Sequence, residues 1–244
     1  MAAVAMLSAC LTSPDEILAT ETPSPSPIPT ETIDWFPATQ TPTPRPIVEA
    51  LPTPDLRPDI GELILEDGFE DADAWPATSS NTTTVAVSDQ NIALTLRQRA
   101  DYLLVTRDAP TIGNFYLEVT ANPSLCRDTD EYGLIVRATP GGSQYRFSLS
   151  CDGKAKVERF YGGVLSIETE FVESSLIPAV APSSSRLAVW ASGEEMRFFV
   201  NDFQLFTVRD RVLNRGTVGV FIRTRSTEAL SVSFSEMSLW ALEP

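Results

Sequence analysis

An all-β antiparallel sandwich is predicted for residues 61–244 of this 244-residue chain, and three observations predict it. Apolar and polar residues alternate in short runs, the period-2 pattern of a strand with one buried face. Clusters of Gly, Pro, Asp, Asn or Ser separate the runs, and these residues form turns. No window of about 12 residues carries the 3.6-residue period of an amphipathic helix. About 180 residues with this many strands suit one sandwich better than two domains.

The elements follow in chain order. Residues 1–10 end in Leu7-Ser8-Ala9-Cys10. Small residues before a cysteine, after an apolar stretch, suit a signal-peptidase site. The tetrapeptide resembles the lipobox of bacterial lipoproteins. That resemblance implies cleavage before Cys10, acylation of its thiol, and a lipid-anchored location outside the cytoplasm, with the membrane a partner through the anchor alone. Met1 to Leu7 is short for a full leader, so translation is expected to begin upstream and this leader to be truncated. A chance LSAC in a soluble chain is the alternative.

Residues 11–60 hold 12 of the 19 prolines, with many threonines. Proline fixes φ and lacks a backbone donor, so neither helix nor ladder runs through this tract. A disordered, PPII-rich tether is expected, reaching on the order of 150 Å when fully extended. Trp35-Phe36 interrupts it, either as a docking pair or as an aromatic accident.

From about residue 61 the composition changes. The alternating runs are TTVAVS (83–88), NIALTLR (91–97), YLLVTR (102–107), NFYLEVTA (114–121), YGLIVRA (132–138), QYRFSLSC (144–151), RLAVWAS (186–192), MRFFVN (196–201), FQLFTV (203–208), TVGVFIRT (217–224) and SVSFSEMSLW (231–240).

Charge and composition exclude several functions. The net charge is −15, which disfavours nucleic acid and anionic bilayers as partners. There is no histidine, so His-containing triads and His zinc ligands are absent. No stretch reaches the roughly 18 apolar residues of a membrane-spanning helix.

Residues 131–163, EYGLIVRATPGGSQYRFSLSCDGKAKVERFYGG, together with RLAVWASGEEMRFFVNDFQLFTVRD (186–210), GTVGVFIRT and VSFSEMSLW, resemble the strand order of the concanavalin A-like lectin/glucanase jelly roll. EDGFEDADAW (66–75) resembles its opening edge. Asp202 stands where that superfamily usually has a glycine, a position an αL-tolerant Asp can fill. The resemblance covers most of 64–240 and implies the fold. It does not imply one activity, because that fold hosts lectins, glycosidases and adhesion modules.

A four-residue turn, Pro140-Gly141-Gly142-Ser143, would pair Ala138 with Tyr145, Val136 with Phe147, Leu134 with Leu149 and Tyr132 with Cys151. This register puts every apolar residue on one face. It also brings Cys151 near Cys126. A Cys126–Cys151 disulfide would close a loop of about 25 residues, worth roughly 3 kcal/mol in the loop-entropy model. Two buried free thiols are the alternative. With the bridge formed, Cys10 is the cysteine left over.

Three groups of residues are candidates for chemistry. Arg97, Arg137, Arg146, Trp190 and Arg223 lie out of phase with the apolar residues of their runs and could share an exposed face. Arg offers planar donors to hydroxyls or carboxylates, and Trp stacks on sugar faces. The other reading is a solvated face, or Trp190 buried under a loop. Glu168-x-Glu170-x-x-Glu173 resembles the Glu-x-Asp-x-x-Glu strand of laminarinase-type glycosidases, but with Glu at the middle acid and Thr169 at an apolar position. The resemblance implies a nucleophile and an acid about 5 Å apart; the other reading is a solvated strand edge. Asp128, Asp130, Glu131 and Asp152 flank the hairpin base and could hold a structural Ca²⁺. Asp67, Glu70, Asp71 and Asp73 form a second acidic group, and both groups could equally be solvated turns. No other cofactor is expected. The leading expectation is non-catalytic recognition of a glycan or cell-wall polymer at the cell surface. A laminarinase-like hydrolase and a structural or protein-interaction ectodomain are the alternatives.

Overall fold

The computed structural model describes residues 55–243, apart from 72, 89 and 98–101. Cys10, Trp35-Phe36 and the tether as far as residue 54 lie outside the described residues. Sixteen strands are described. In chain order they are β1 (Ile60–Asp67), β2 (Thr78–Ser79), β3 (Thr83–Ser88), β4 (Asn91–Leu96), β5 (Leu103–Thr106), β6 (Phe115–Leu125), β7 (Glu131–Thr139) and β8 (Ser143–Ser150), followed by β9 (Lys154–Tyr161), β10 (Val164–Glu168), β11 (Val172–Glu173), β12 (Ser185–Ser192), β13 (Glu195–Val200), β14 (Phe203–Arg209), β15 (Thr217–Arg223) and β16 (Leu230–Leu242). No helix is present among the described residues.

The strands form two sheets. A nine-stranded sheet runs β14-β13-β12-β6-β16-β4-β3-β2, with β1 also paired to β16. A seven-stranded sheet runs β10-β9-β8-β7-β15-β5, with β11 also paired to β9. The named strand pairs are antiparallel. The predicted all-β antiparallel sandwich is the architecture found.

Alternation builds the core. Ile92, Leu94 and Leu96 of β4, and Phe115, Leu117 and Val119 of β6, point inward with no exposed surface. They belong to the same buried cluster as Tyr132, Leu134, Val136, Phe147 and Leu149 of the other sheet. The Phe147 and Phe198 rings meet between the sheets at 5.2 Å. Each such side chain contributes about 1.5–3 kcal/mol through burial. Gly133 marks a close approach: a Cβ there would lie 1.9 Å from the Phe147 carbonyl oxygen.

The β7–β8 hairpin departs from the predicted register by two residues. Val136 pairs with Tyr145, Leu134 with Phe147, Tyr132 with Leu149, and Glu131, not Tyr132, sits nearest the cysteine end, opposite Ser150. The ladder is interrupted between Val136 and Thr139. Arg137 there adopts the left-handed region at φ 52°, the mark of a bulge. A shift of two keeps every apolar residue on its face, so burial alone could not tell the two registers apart. The disulfide pairing does hold: Cys126 and Cys151 are bridged, with Cα atoms 5.6 Å apart across 25 residues.

Residues 55–59, assigned to the tether by composition, lie against the outer face of the nine-stranded sheet. The Trp190 indole donates to the Pro58 carbonyl at 2.9 Å, and Arg197 donates to the Leu56 carbonyl at 2.9 Å. Arg57 donates to the Tyr116 hydroxyl at 3.0 Å and lies 5.6 Å from the centre of the Phe199 ring.

Replacing both Cys126 and Cys151 by Ser is expected to lower the unfolding free energy by about 3 kcal/mol. Urea denaturation of the two proteins, with unchanged near-UV circular dichroism before the transition, checks this.

Candidate functional site

The outer face of the seven-stranded sheet carries an unusual set of buried charges. β9 reads KAKVERFY, so Ala155 and Val157 face the core while Lys156, Glu158 and Phe160 face outward. The register sets Glu158 beside Arg146 of β8, and Glu131 of β7 beside Arg223 of β15. Lys156 Nζ lies 2.6 Å from a Glu168 oxygen, 3.1 Å from Glu158 and 3.5 Å from Glu131. Arg223 reaches Glu131 and Glu158, each at 3.2 Å, and Arg225 reaches Glu131 at 3.0 Å. Lys156, Glu131 and Glu158 are almost wholly buried. Burial pushes the Glu158 carboxyl up, but Arg223 and Lys156 outweigh it and hold it below the usual carboxylate range.

Beside this network opens a cleft of about 590 Å³ whose lining includes Tyr102, Gln144, Arg146, Phe160, Arg215 and Arg223. Arg146 is 3% exposed. Its guanidinium carbon lies 3.9 Å from the centre of the Phe160 ring, 5.2 Å from Tyr102 and 5.4 Å from Phe221. With the Gln144 amide oriented to satisfy its surroundings, the Gln144 oxygen accepts from Arg146 Nε at 3.0 Å and Nη2 at 2.8 Å. Burial, and then the neighbouring charge of Arg223, pull Arg146 down to about 10.

The predicted site residues divide accordingly. Arg146 and Arg223 share this face and both line the cleft. Arg137 does not join them, because the bulge turns it aside and buries it completely. There it donates to the carbonyls of Leu213 at 2.9 Å, Gly113 at 3.0 Å and Gly193 at 2.8 Å, tying loops together. Arg97 follows β4 in the other sheet and donates to the Ser80 carbonyl at 3.2 Å. Trp190 is 6% exposed on the outer face of that same sheet, under residues 55–59 and 4.5 Å from the Arg197 guanidinium. It is not an open platform for a sugar.

Glu168, Glu170 and Glu173 do not lie on one strand. β10 ends at Glu168 and β11 begins at Val172, and Thr169 between them bonds the Val157 backbone through both its amide and its hydroxyl. Glu168 is held by Lys156, Glu170 is exposed, and Glu173 is 82% exposed, 3.9 Å from Lys154. The laminarinase-type arrangement is therefore not reproduced.

The four hairpin acids do not converge either. Asp128 is exposed, and Glu131 belongs to the Lys156 network. Asp152 accepts from Ser150 and pairs with Lys154. Asp130, fully buried, accepts from the Arg225 and Ser226 amides and the Thr224 and Ser226 hydroxyls at 2.7–3.1 Å. In the second group, Asp67 accepts from the Phe69 amide, the Trp75 indole and Arg107. Among the described residues, no three acidic or thiol side chains gather in a metal-holding arrangement.

Tyr102, Gln144, Lys156, Glu158 and Phe160 were not anticipated as site residues. A signal for most of them was present: Gln144 shares the parity of Arg146, and KAKVERFY alternates charge and aromatic against Ala155 and Val157.

No family model matches the chain, and no curated protein does. Solved structures do. The carbohydrate-binding module CBM66 from Bacillus subtilis superposes with a TM-score of 0.53 at 15% identity, covering 69% of this chain and 96% of that one. The catalytic domain of an endo-1,3-beta-glucanase (laminarinase) from Thermotoga petrophila gives 0.53 at 7% identity, covering 75% and 98%. A beta-1,3-1,4-glucanase (lichenase) from a mouse hindgut metagenome gives 0.54 at 10%, covering 73% and 99%. At these identities the likeness establishes the fold alone, a jelly-roll β-sandwich.

Because Arg137 supplies charged donors to three carbonyls, Arg137→Met is expected to destabilise the protein by about 3 kcal/mol. Urea denaturation reads the loss, and Arg97→Met, on an exposed residue, should stay within about 0.5 kcal/mol of the parent.

Proposed function

We propose that this protein is a non-catalytic carbohydrate-recognition module that binds a glycan in the cleft over the seven-stranded sheet, and that it is displayed outside the cytoplasm through a lipid on Cys10. One observation carries the binding reading: a cleft of sugar-accommodating size in which the Arg146 guanidinium lies 3.9 Å from the Phe160 ring centre and 5.2 Å from that of Tyr102. Aromatic faces stack on the apolar faces of sugars, and a guanidinium supplies directed donors. The neighbouring structures named above, a carbohydrate-binding module and two glucanases, support a carbohydrate ligand by analogy of fold.

Binding is favoured over hydrolysis by the state of the carboxylates. A retaining hydrolase needs one carboxyl free to attack and a second kept protonated. Here Glu131, Glu158 and Glu168 all pair with Lys156, and Glu158 is held ionised. The external location is supported by the Cys126–Cys151 bridge, since disulfides persist in oxidising compartments, and by the Leu7–Cys10 lipobox.

On a glycan array the protein is expected to retain a defined set of polysaccharides, and Phe160→Ala and Tyr102→Ala are each expected to weaken retention about tenfold, the loss of roughly one stacking contact. Unchanged retention by both variants would place the ligand elsewhere. Release of reducing ends from β-glucans would replace this reading with an enzymatic one.

Metabolic labelling with a clickable fatty acid is expected to mark the protein in its native host and to leave Cys10→Ser unmarked. An unlabelled parent removes the anchor.

A further inference from the structure

Arginine crowds the cleft of a protein whose net charge is −15. Arg107, Arg146, Arg215 and Arg223 line it, against the single acid Asp108. Two of these cations are already matched: Arg107 by Asp67 at 2.7 Å, and Arg223 by Glu131 and Glu158. The neighbouring network is neutral within itself, since Glu131, Glu158 and Glu168 balance Lys156, Arg223 and Arg225. Arg146 and Arg215 remain. Neither has a carboxylate within ion-pair distance among the described residues. Arg215 is exposed at the rim, and Arg146 is nine-tenths and more buried in the floor.

The surroundings of Arg146 are aromatic and amide, with no matched carboxylate. Its planar group is flanked by the Phe160, Tyr102 and Phe221 rings, and Gln144 takes only Nε and Nη2. Nη1 has no protein partner among the described residues. A buried guanidinium without a counter-charge is costly, and the chain carries plenty of carboxylates that could have supplied one. Burial and then Arg223 pull its affinity for the proton down, and the pull of Glu158 and Glu131, beyond ion-pair distance, does not offset them.

Resting on the glycan reading above, we propose that the cleft selects acidic sugars, with the carboxylate of a hexuronic acid residue paired to Arg146 and steered in by Arg215. A planar carboxylate matches the planar guanidinium through two parallel hydrogen bonds. The flanking Tyr102 and Phe160 rings hold the guanidinium and contact the sugar body. Arg215, exposed at the rim, adds attraction that salt screens.

The test compares the full chain on polygalacturonate, alginate and hyaluronan with highly methyl-esterified pectin, neutral β-glucan and poly-glutamate, by affinity electrophoresis and calorimetry. At least one uronate is expected to bind tenfold or more tightly than the methyl ester and the neutral glucan. That preference should shrink between 0.05 and 0.5 M salt, by the screening expected of exposed charges. Arg146→Gln should erase it, and Arg215→Gln, on an exposed side chain that the fold does not need, should reduce it several-fold. Retention of neutral glucan or ester as strong as that of every uronate overturns the acid preference and leaves the glycan reading intact. Binding of poly-glutamate alone overturns both, and so does retention of none of the polymers. An undiminished uronate preference in both Arg146→Gln and Arg215→Gln overturns this assignment of the site.

Discussion

A single ammonium group holds together the outer face of the seven-stranded sheet. Lys156 Nζ lies among carboxylates supplied by β7, β9 and β10, and Arg223 of β15 closes the ring by bonding two of the same carboxylates. Each of these charges would cost several kcal/mol if buried alone. Together they compensate one another, and all but the Lys156–Glu158 pair within β9 link different strands of one sheet. The chemistry of the face follows. Its carboxylates Glu131, Glu158 and Glu168 are each paired with Lys156, and Arg223 shares the first two. Arg146, directly opposite Glu158 in the ladder, is the cation that the network does not use.

Two backbone bulges, one in each sheet, decide which side chains face the core and which face outward. Arg137 in β7 and Glu236 in β16 both take positive φ, at 52° and 55°. Each inserts residues into a ladder and resets the inward-outward alternation beyond it. In β16 the bulge lets Phe234 and Met237 both point into the core although they are three residues apart. In β7 it sends Ala138 to the outer apolar cluster with Ile135 and Phe221, and frees Arg137 to lace the loops at the end of the sandwich. Period-2 reasoning assumes an unbroken ladder. It therefore placed Arg137 beside Arg146, although only Arg146 is there.

Much of the fold was legible because strands such as β3, β4 and β12 pair apolar alternation with clear turn residues. What escaped did so for identifiable reasons. β9 alternates only Ala155 and Val157 inward against Lys156 and Glu158, and a strand with charges on its outer side reads as solvated when those charges are in fact buried. β10 and β11 expose their apolar residues at a sheet edge, so no alternation marks them. The disulfide survived an incorrect register because a slip of two residues still leaves Cys151 at the same end of the hairpin as Cys126. The cleft was half legible: the outward parity of Arg146 and Arg223 is written in their strands, whereas the approach of Tyr102, from the segment before β5, depends on tertiary packing that no local pattern encodes.

The boundary between tether and domain shows how composition can mislead. Asp55 to Asp59 is as polar and proline-marked as the tract before it, yet its backbone carbonyls accept from Trp190 and Arg197, and its arginine meets Tyr116. An aromatic patch of Tyr116, Trp190 and Phe199 on the outer face of a sheet would otherwise be an exposed apolar surface. Covering it with the entering chain removes that surface and fixes where the chain joins the sandwich. The joining point lies on the outer face of the nine-stranded sheet, and the arginine cleft lies on the outer face of the other. On the proposed reading, in which a glycan is bound in this cleft and the chain is anchored through Cys10, the core between the two sheets separates the recognition face from the point where the chain enters.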